Sequence, residues 1–77
     1  MILLMREDCH LCDDAKALLH ALAVTPVQLV DIDSSPELGA RYGLRIPVLA
    51  DAQGRELEWP FGQAELAVWL HEVAATP

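Results

Sequence analysis

Apolar positions in the N-terminal half of the chain follow the pattern of a strand, a helix and a second strand. Residues 1–5 are a continuous apolar run, which is typical of a strand buried on both faces. In residues 10–23, leucine and alanine recur at helical spacing, and Thr25-Pro26 ends the pattern. The residues predicted to face inward are Leu11, Ala15, Leu18, Leu19 and Leu22. Residues 27–32 are β-branched and mostly apolar, so they predict a second strand, parallel to the first.

The next segments predict a short helix followed by a hairpin. Ser34-Ser35-Pro36-Glu37 is typical of a helix start, with a serine cap and proline at the first helical position. Gly43 is expected to end this helix. Residues 45–51 predict a third strand, and residues 56–59 alternate as a fourth strand after a Gln53-Gly54 turn. The two strands are therefore expected to form an antiparallel hairpin.

A last helix is predicted from about Gln63 to Ala74. With Gly62 as its cap, Phe61 and Leu66 stand at the positions of a hydrophobic staple, and Glu65 is placed to bond back to the cap. The predicted inward face consists of Leu66, Trp69, Leu70 and Val73.

Composition limits the class of protein. The 77 residues are 53% apolar, which favours one folded domain, residues 1–77, over a disordered chain. A formal net charge of −7 argues against nucleic acid and anionic membrane surfaces as partners. No stretch has the length of a membrane span. We expect a monomer, and any partner protein would present a basic face.

Cysteine usage favours a reducing compartment. Two cysteines are fewer than a secreted disulfide framework normally has. The apolar start is followed at once by Arg6-Glu7-Asp8, which does not fit a secretory signal. The cytoplasm is the simplest expectation.

Both cysteines fall in Cys9-His10-Leu11-Cys12, between the first predicted strand and the first helix. A helix N-terminus favours an anion, and the thiolate is the form of cysteine that attacks disulfides. Cys12, one turn further along, would attack a mixed disulfide formed on Cys9 and release the substrate. The placement predicts a redox pair in which Cys9 attacks and Cys12 resolves.

Charges near the motif act in opposite directions. Arg6 and His10 favour a Cys9 thiolate, whereas nearby carboxylates oppose it. Those carboxylates belong to Glu7, Asp8, Asp13 and Asp14. We therefore expect a mildly stabilised thiolate and a reducing pair; the alternative is that these acids are only a solvated surface. His10 either stabilises the thiolate and shuttles a proton, or is an exposed residue of the motif.

Two other interpretations of the cysteines stay open, an inert buried pair and a metal site. A structural zinc site needs four ligands, and Cys9, Cys12 and His10 fall short of that number within one chain. We therefore predict no metal ligands and no tightly bound cofactor.

The order β-α-β-α-β-β-α, with two motifs at set places in it, resembles the thioredoxin superfamily and its small glutaredoxin-like branch in particular. The motifs are Cys9-His10-Leu11-Cys12 after the first strand and Ile46-Pro47 before the third. The resemblance covers essentially the whole chain. It implies a three-layer α/β fold around a four-stranded mixed sheet. It further implies that Pro47 is cis and faces the dithiol, with the Ile46 backbone pairing with a substrate segment.

The same resemblance bears on glutathione as a co-substrate. Glutaredoxins commonly have Cys-Pro-Tyr-Cys, a basic residue shortly before it, and a Gly-Gly-x-Asp turn at the last helix. Arg6 matches the basic residue, but His10-Leu11 replaces Pro-Tyr, and residues 59–63 differ from the glycine turn. Trp59 and Phe61 offer instead an apolar rim that would accept a protein disulfide. The alternative is that Phe61 is the helix staple and Trp59 is hairpin core.

Two functions from different classes follow. The first is a thiol–disulfide oxidoreductase that reduces or exchanges protein or glutathione-mixed disulfides. The second is a thioredoxin-fold binding module whose cysteines are idle or hold a metal. Replacing Cys12 by serine separates them, because only the enzyme would then trap a mixed disulfide on Cys9.

Overall fold

The computed structural model describes residues 1–24 and 26–75, which form a four-stranded mixed sheet and three α-helices. The strands are β1 (Ile2–Met5), β2 (Gln28–Asp31), β3 (Val48–Ala50) and β4 (Glu56–Glu58). The helices are α1 (His10–Ala21), α2 (Pro36–Tyr42) and α3 (Gln63–Ala75). The predicted element order and fold class are confirmed. None of the helices in the described ranges is long and apolar enough to cross a membrane.

The sheet has the strand order β2-β1-β3-β4. β1 pairs in parallel with β2 and antiparallel with β3, and β3 and β4 form the predicted antiparallel hairpin. β1 is therefore an inner strand, which explains why its apolar run is continuous rather than alternating.

Successive residues of β1 point to opposite faces of the sheet and so seed two core clusters. Leu3 packs with residues of α1 and α3, including Ala15, Leu19 and Leu66. Leu4 packs on the other face with Tyr42 of α2. The sheet is thus the middle of three layers, with α1 and α3 on one side and α2 on the other.

Several predicted boundaries differ from the structure. α1 ends at Ala21 rather than residue 23, because the Ala23 N–H donates to the His20 carbonyl, the Val24 N–H donates to the Leu19 carbonyl and Ala23 adopts a left-handed φ of 54°. Thr25 of the predicted stop lies outside the described residues. β2 ends at Asp31, because Ile32 begins a single 3-10 turn, Ile32–Ser34, instead of continuing the strand.

The predicted inward stripe of α1 is wrong at Leu11, which is exposed. Cys12 occupies the inward position of the first helical turn instead, in line with Ala15 and Leu19. Because Cys12 is fully buried, Leu11 is turned toward solvent on the neighbouring side of the helix.

Helix caps follow the sequence closely at α3 and less closely at α2. Glu65 accepts a hydrogen bond from the Gly62 N–H at 2.7 Å, as predicted. Ser35 occupies the N-cap of α2, but its side chain makes no capping bond. α2 does end before Gly43, as predicted. Gly43 itself has a right-handed φ of −53°. A side chain there would lie 2.6 Å from the Gly39 carbonyl oxygen, so glycine is the residue that fits.

Candidate active site

The Cys9–Cys12 pair lies in the connection from β1 to α1. Met5 ends β1, and Asp8 adopts a left-handed φ of 56° that turns the chain into the helix. Cys9 is the N-cap of α1 and has an extended backbone, so its sulfur lies at the start of the helix. Cys9 and Cys12 form a disulfide, with their Cα atoms 5.1 Å apart. This separation is ordinary for a disulfide-bonded pair.

The two sulfurs have different surroundings. The Cys12 N–H donates to the Cys9 sulfur at 3.2 Å, and the Asp13 N–H donates to the Cys9 carbonyl at 3.0 Å. Backbone donors at a helix N-terminus favour negative charge on Cys9 once the disulfide is reduced. Cys12 is 0% exposed, whereas Cys9 is half-buried. A reagent in solvent therefore reaches Cys9 first.

The acids around the motif lie in solvent. Glu7, Asp8, Asp13 and Asp14 are all exposed. Asp13 lies 3.6 Å from the Lys16 ammonium. Exposed charges interact weakly through water, so each acid opposes a thiolate only modestly. His10 is the first residue of α1 and is also exposed.

Pro47 lies at the same edge of the sheet as the dithiol. β1 and β3 are antiparallel, with Leu4 opposite Val48, so the end of β1 lies beside the start of β3. The Ile46–Pro47 peptide bond is cis, and Pro47 is fully buried. The Pro47 carbonyl accepts a hydrogen bond from the Trp59 N–H at 3.1 Å, which ties this segment to the end of β4.

The Ile46 backbone is only partly available to a substrate. Its N–H donates to the Tyr42 carbonyl at 3.2 Å. The Ile46 N–H is therefore engaged within the fold, which leaves the carbonyl as the other polar group of its backbone. Ile46 itself is half-buried.

Arg6 makes its side-chain hydrogen bonds to Asp33. Its Nε lies 3.1 and 3.0 Å from the two carboxylate oxygens of Asp33, which belongs to the 3-10 turn. Arg6 also lines a groove of about 570 Å³ beside α2. The groove is lined by Arg6, Gly39, Ala40, Arg41, Gly43, Leu44 and Arg45. The Arg6 guanidinium is therefore paired with Asp33 where it borders this groove.

The predicted aromatic rim is wrong at Phe61. Phe61 is only 4% exposed and packs in the core with Leu66, as the staple interpretation requires. Trp59 is half-buried, and its ring meets the Phe61 ring edge to face with centroids 5.1 Å apart. Trp59 packs against the same core cluster, so it combines hairpin packing with a partly accessible surface.

Comparison with known proteins identifies the family. The sequence model described as Glutaredoxin-like domain (DUF836) matches residues 1–71. The chain belongs to this glutaredoxin-like family. No match was found among curated proteins.

Two solved structures are similar to this chain over nearly its whole length. The X-ray structure of Northeast Structural Genomics target protein XcR50 from X. campestris is 45% identical, with a TM-score of 0.87. That match covers 99% of this chain and 97% of the other. The solution structure of the same target is 45% identical with a TM-score of 0.83, covering 99% of this chain and 94% of the other.

The glutaredoxin-like domain has a polar cluster that the sequence analysis missed. Tyr42 donates its hydroxyl to Glu56, and Arg45 pairs with both Glu56 and Glu58. The hydrogen bond from Tyr42 and the Arg45 guanidinium hold the pKa of Glu56 below its ordinary value. The hydrogen bond to Glu56 and burial raise the pKa of Tyr42. Glutamates at alternate positions of β4 were the available signal, because they share one face of the strand.

Among the described residues, no group of three or more His, Cys, Asp or Glu side chains is arranged to hold a metal ion.

Proposed function

We propose that this protein is a thiol–disulfide oxidoreductase in which Cys9 attacks and Cys12 resolves. The observation that carries the proposal is the asymmetry of the pair: the half-buried Cys9 caps α1, and Cys12 is fully buried behind it. Catalysis by such a pair requires one thiolate that a substrate can reach and a second thiol that is shielded from substrates. The second thiol reacts only with the mixed disulfide formed on the first.

The reaction begins with the reduced pair. The Cys9 thiolate attacks one sulfur of a substrate disulfide, so a Cys9–substrate disulfide forms and the other substrate sulfur leaves as a thiolate. That thiolate takes a proton from solvent. The Cys12 thiol then loses its proton and attacks the Cys9 sulfur, which releases the second substrate thiol. Two electrons have passed to the substrate, and the Cys9–Cys12 disulfide remains.

A thiol reductant must then restore the dithiol. Glutathione or a dithiol protein supplies the two electrons, and both belong to a reducing compartment such as the cytoplasm. The groove beside Arg6 supports binding of an anionic co-substrate such as glutathione, although residues 59–63 lack the glycine turn of glutaredoxins. A protein disulfide is the alternative substrate, with Ile46, His10 and the exposed part of Trp59 in contact with it and the buried Pro47 shaping the segment behind them.

Replacement of the resolving cysteine tests the proposal. Cys12→Ser is expected to accumulate a mixed disulfide on Cys9 when the reduced protein meets a peptide disulfide or oxidised glutathione, because release of the adduct needs Cys12. Intact-mass spectrometry measures the adduct, with and without a final reduction step.

Cys9→Ser is the matched control. It should form no adduct over the same reaction time, because Cys12 is fully buried. Absence of an adduct on Cys12→Ser with every disulfide offered would reject the oxidoreductase and favour the binding module. A series of glutathione redox buffers then gives the midpoint potential, which we expect near the thioredoxin value of about −270 mV.

A further inference from the structure

Arg45 stands just before Ile46-Pro47 and reaches across to β4. Its Nη2 lies 2.7 Å from Glu56 Oε1 and 2.6 Å from Glu58 Oε1, and its Nε donates to Glu58 Oε1 at 2.8 Å. One guanidinium thus joins two carboxylates on the same face of the strand. Charge-assisted contacts of this kind fix orientation as well as adding energy.

Tyr42 completes the cluster from the side of α2. Its hydroxyl donates to Glu56 Oε2, so both oxygens of that carboxylate are engaged. The Arg45 guanidinium carbon lies 5.0 Å from the centre of the Tyr42 ring, within the range of a cation–π contact. Arg45 is therefore held on three sides.

The backbone around Arg45 is fixed at the same place. The N–H groups of Arg45 and Ile46 both donate to the Tyr42 carbonyl, at 2.8 and 3.2 Å. The Trp59 N–H donates to the Pro47 carbonyl at 3.1 Å. The segment from Arg45 to Pro47 is thus anchored to the end of α2 by its backbone and to β4 by both backbone and side chain.

The exposure of the ion-paired side chains limits how much these contacts stabilise the fold. The Arg45 side chain is 32% exposed, and those of Glu56 and Glu58 are 20% and 50% exposed, so the pair with Glu58 adds little to global stability and the pair with Glu56 adds more. Position is a more sensitive quantity, because a misplacement of about 1 Å at a reacting centre costs up to about 100-fold in rate.

We infer that Arg45 is a positioning residue whose contacts with Glu56 and Glu58 set where the Ile46 carbonyl meets a polypeptide substrate next to Cys9. This inference rests on the proposed oxidoreductase function and extends it to the substrate class. A disulfide within a polypeptide chain uses this backbone for alignment. A small disulfide does not, so it reaches Cys9 without the help of Arg45.

The variant Arg45→Met keeps much of the side-chain length and removes the charge. We expect kcat for a peptide disulfide to fall about tenfold with a smaller change in KM, because the bound segment is no longer aligned with Cys9. Single-turnover reduction of bis(2-hydroxyethyl) disulfide by the pre-reduced protein, with no glutathione present, and alkylation of Cys9 by iodoacetamide should stay at the wild-type rates, because neither reagent uses the groove that Arg45 lines. Arg45→Lys should recover part of the loss, because an ammonium keeps one ion pair but not the fork.

Arg55→Met is the matched control. Arg55 pairs with Asp51 at 2.7 Å at the turn end of the same hairpin, and its side chain is 31% exposed. Thermal unfolding of both variants accounts for general destabilisation. Amide hydrogen exchange gives a readout independent of activity: the Trp59 N–H should exchange faster in Arg45→Met, and the Asp51 N–H, which donates to the Arg55 carbonyl, should not.

Two results would overturn the role of Arg45. One is an equal kcat for the peptide disulfide in Arg45→Met and Arg55→Met. The other is an unchanged rate of Trp59 amide exchange in Arg45→Met. A wild-type protein that reduces neither class of disulfide refutes the proposed function itself, and the positioning role with it. If the wild type turns over the peptide disulfide but Arg45→Met and Arg55→Met have the same kinetics, only the inference about Arg45 is refuted.

Discussion

Asp8 and the two cysteines owe their chemical differences to position. Cys9 caps α1 and meets solvent, whereas Cys12 is fully buried one turn later. Asp8 holds a left-handed backbone, which Asp and Asn adopt more readily than most residues. Backbone conformation thus accounts for an aspartate at position 8, next to the candidate nucleophile Cys9. An isosteric substitution can test the effect of its negative charge separately.

Asp8→Asn separates charge from conformation. Asparagine tolerates the left-handed backbone, so the free energy of unfolding should stay close to wild type. Loss of the charge should raise the rate of Cys9 alkylation in the reduced protein by about twofold to fivefold at neutral pH. Iodoacetamide labelling followed by mass spectrometry measures the rate. Glu37→Gln, on exposed α2 surface, serves as the control. Equal rates in both variants would mean that the acids around the motif are only a solvated surface.

The β3–β4 hairpin carries an ion-pair cluster at each end. At the turn, burial raises the pKa of Asp51, but hydrogen bonds from Arg55 and Gln53 outweigh it and leave that pKa below the ordinary value. At the other end, Tyr42 and Arg45 lower the pKa of Glu56. Both carboxylates therefore favour the folded hairpin only while they are ionised.

The stability of the hairpin should depend on pH through Glu56. A carboxyl group with a lowered folded-state pKa contributes stability above its unfolded pKa, near 4.5, and loses it as pH falls through the folded value. Wild type should therefore exceed Glu56→Gln in free energy of unfolding at neutral pH, and the difference should shrink below pH 4.5. Urea unfolding from about pH 7 to about pH 3 measures both curves. Asp51 titrates in both proteins and cancels. A difference that stays constant with pH would contradict this assignment.

The whole molecule is organised by the position of β1 inside the sheet. Leu3 and Leu4 serve opposite faces, so one short strand supports both helical layers. β2 lies at the edge, where Leu29 pairs with Leu3 but is 50% exposed. Leu3 and Leu29 are therefore neighbours in the sheet, but Leu3 buries much more of its side chain than Leu29 does.

Alanine substitution at these two leucines tests that difference. Leu3→Ala should lower the free energy of unfolding by about 2–5 kcal/mol, because it removes a fully buried side chain and leaves a cavity. Leu29→Ala should cost about 1 kcal/mol or less. Chemical denaturation of both variants gives the values. Similar losses would mean that Leu29 is buried in solution, for instance by a second copy of the chain.

Local rules predicted most of the elements. The apolar run of β1, the helical spacing of α1 and α3 and the proline at the start of α2 act over a few residues, so the sequence displays them directly. Cap chemistry is equally local: Cys9 lies at the N-cap of α1, and Glu65 bonds back to Gly62. Boundaries were less accurate, because the ends of α1 and β2 depend on turns that the periodic pattern does not describe.

The sequence by itself determined the order of elements, the family resemblance and the position of the cysteine pair at a helix N-terminus. Only the tertiary structure decided that Leu11 is exposed, that Phe61 is buried and that Arg6 bonds to Asp33, 27 residues away. It also brought Arg45 between Glu56 and Glu58. The physical reason is that sheet register and layer packing choose these partners across large separations in the chain, whereas hydrophobic period and capping act between near neighbours.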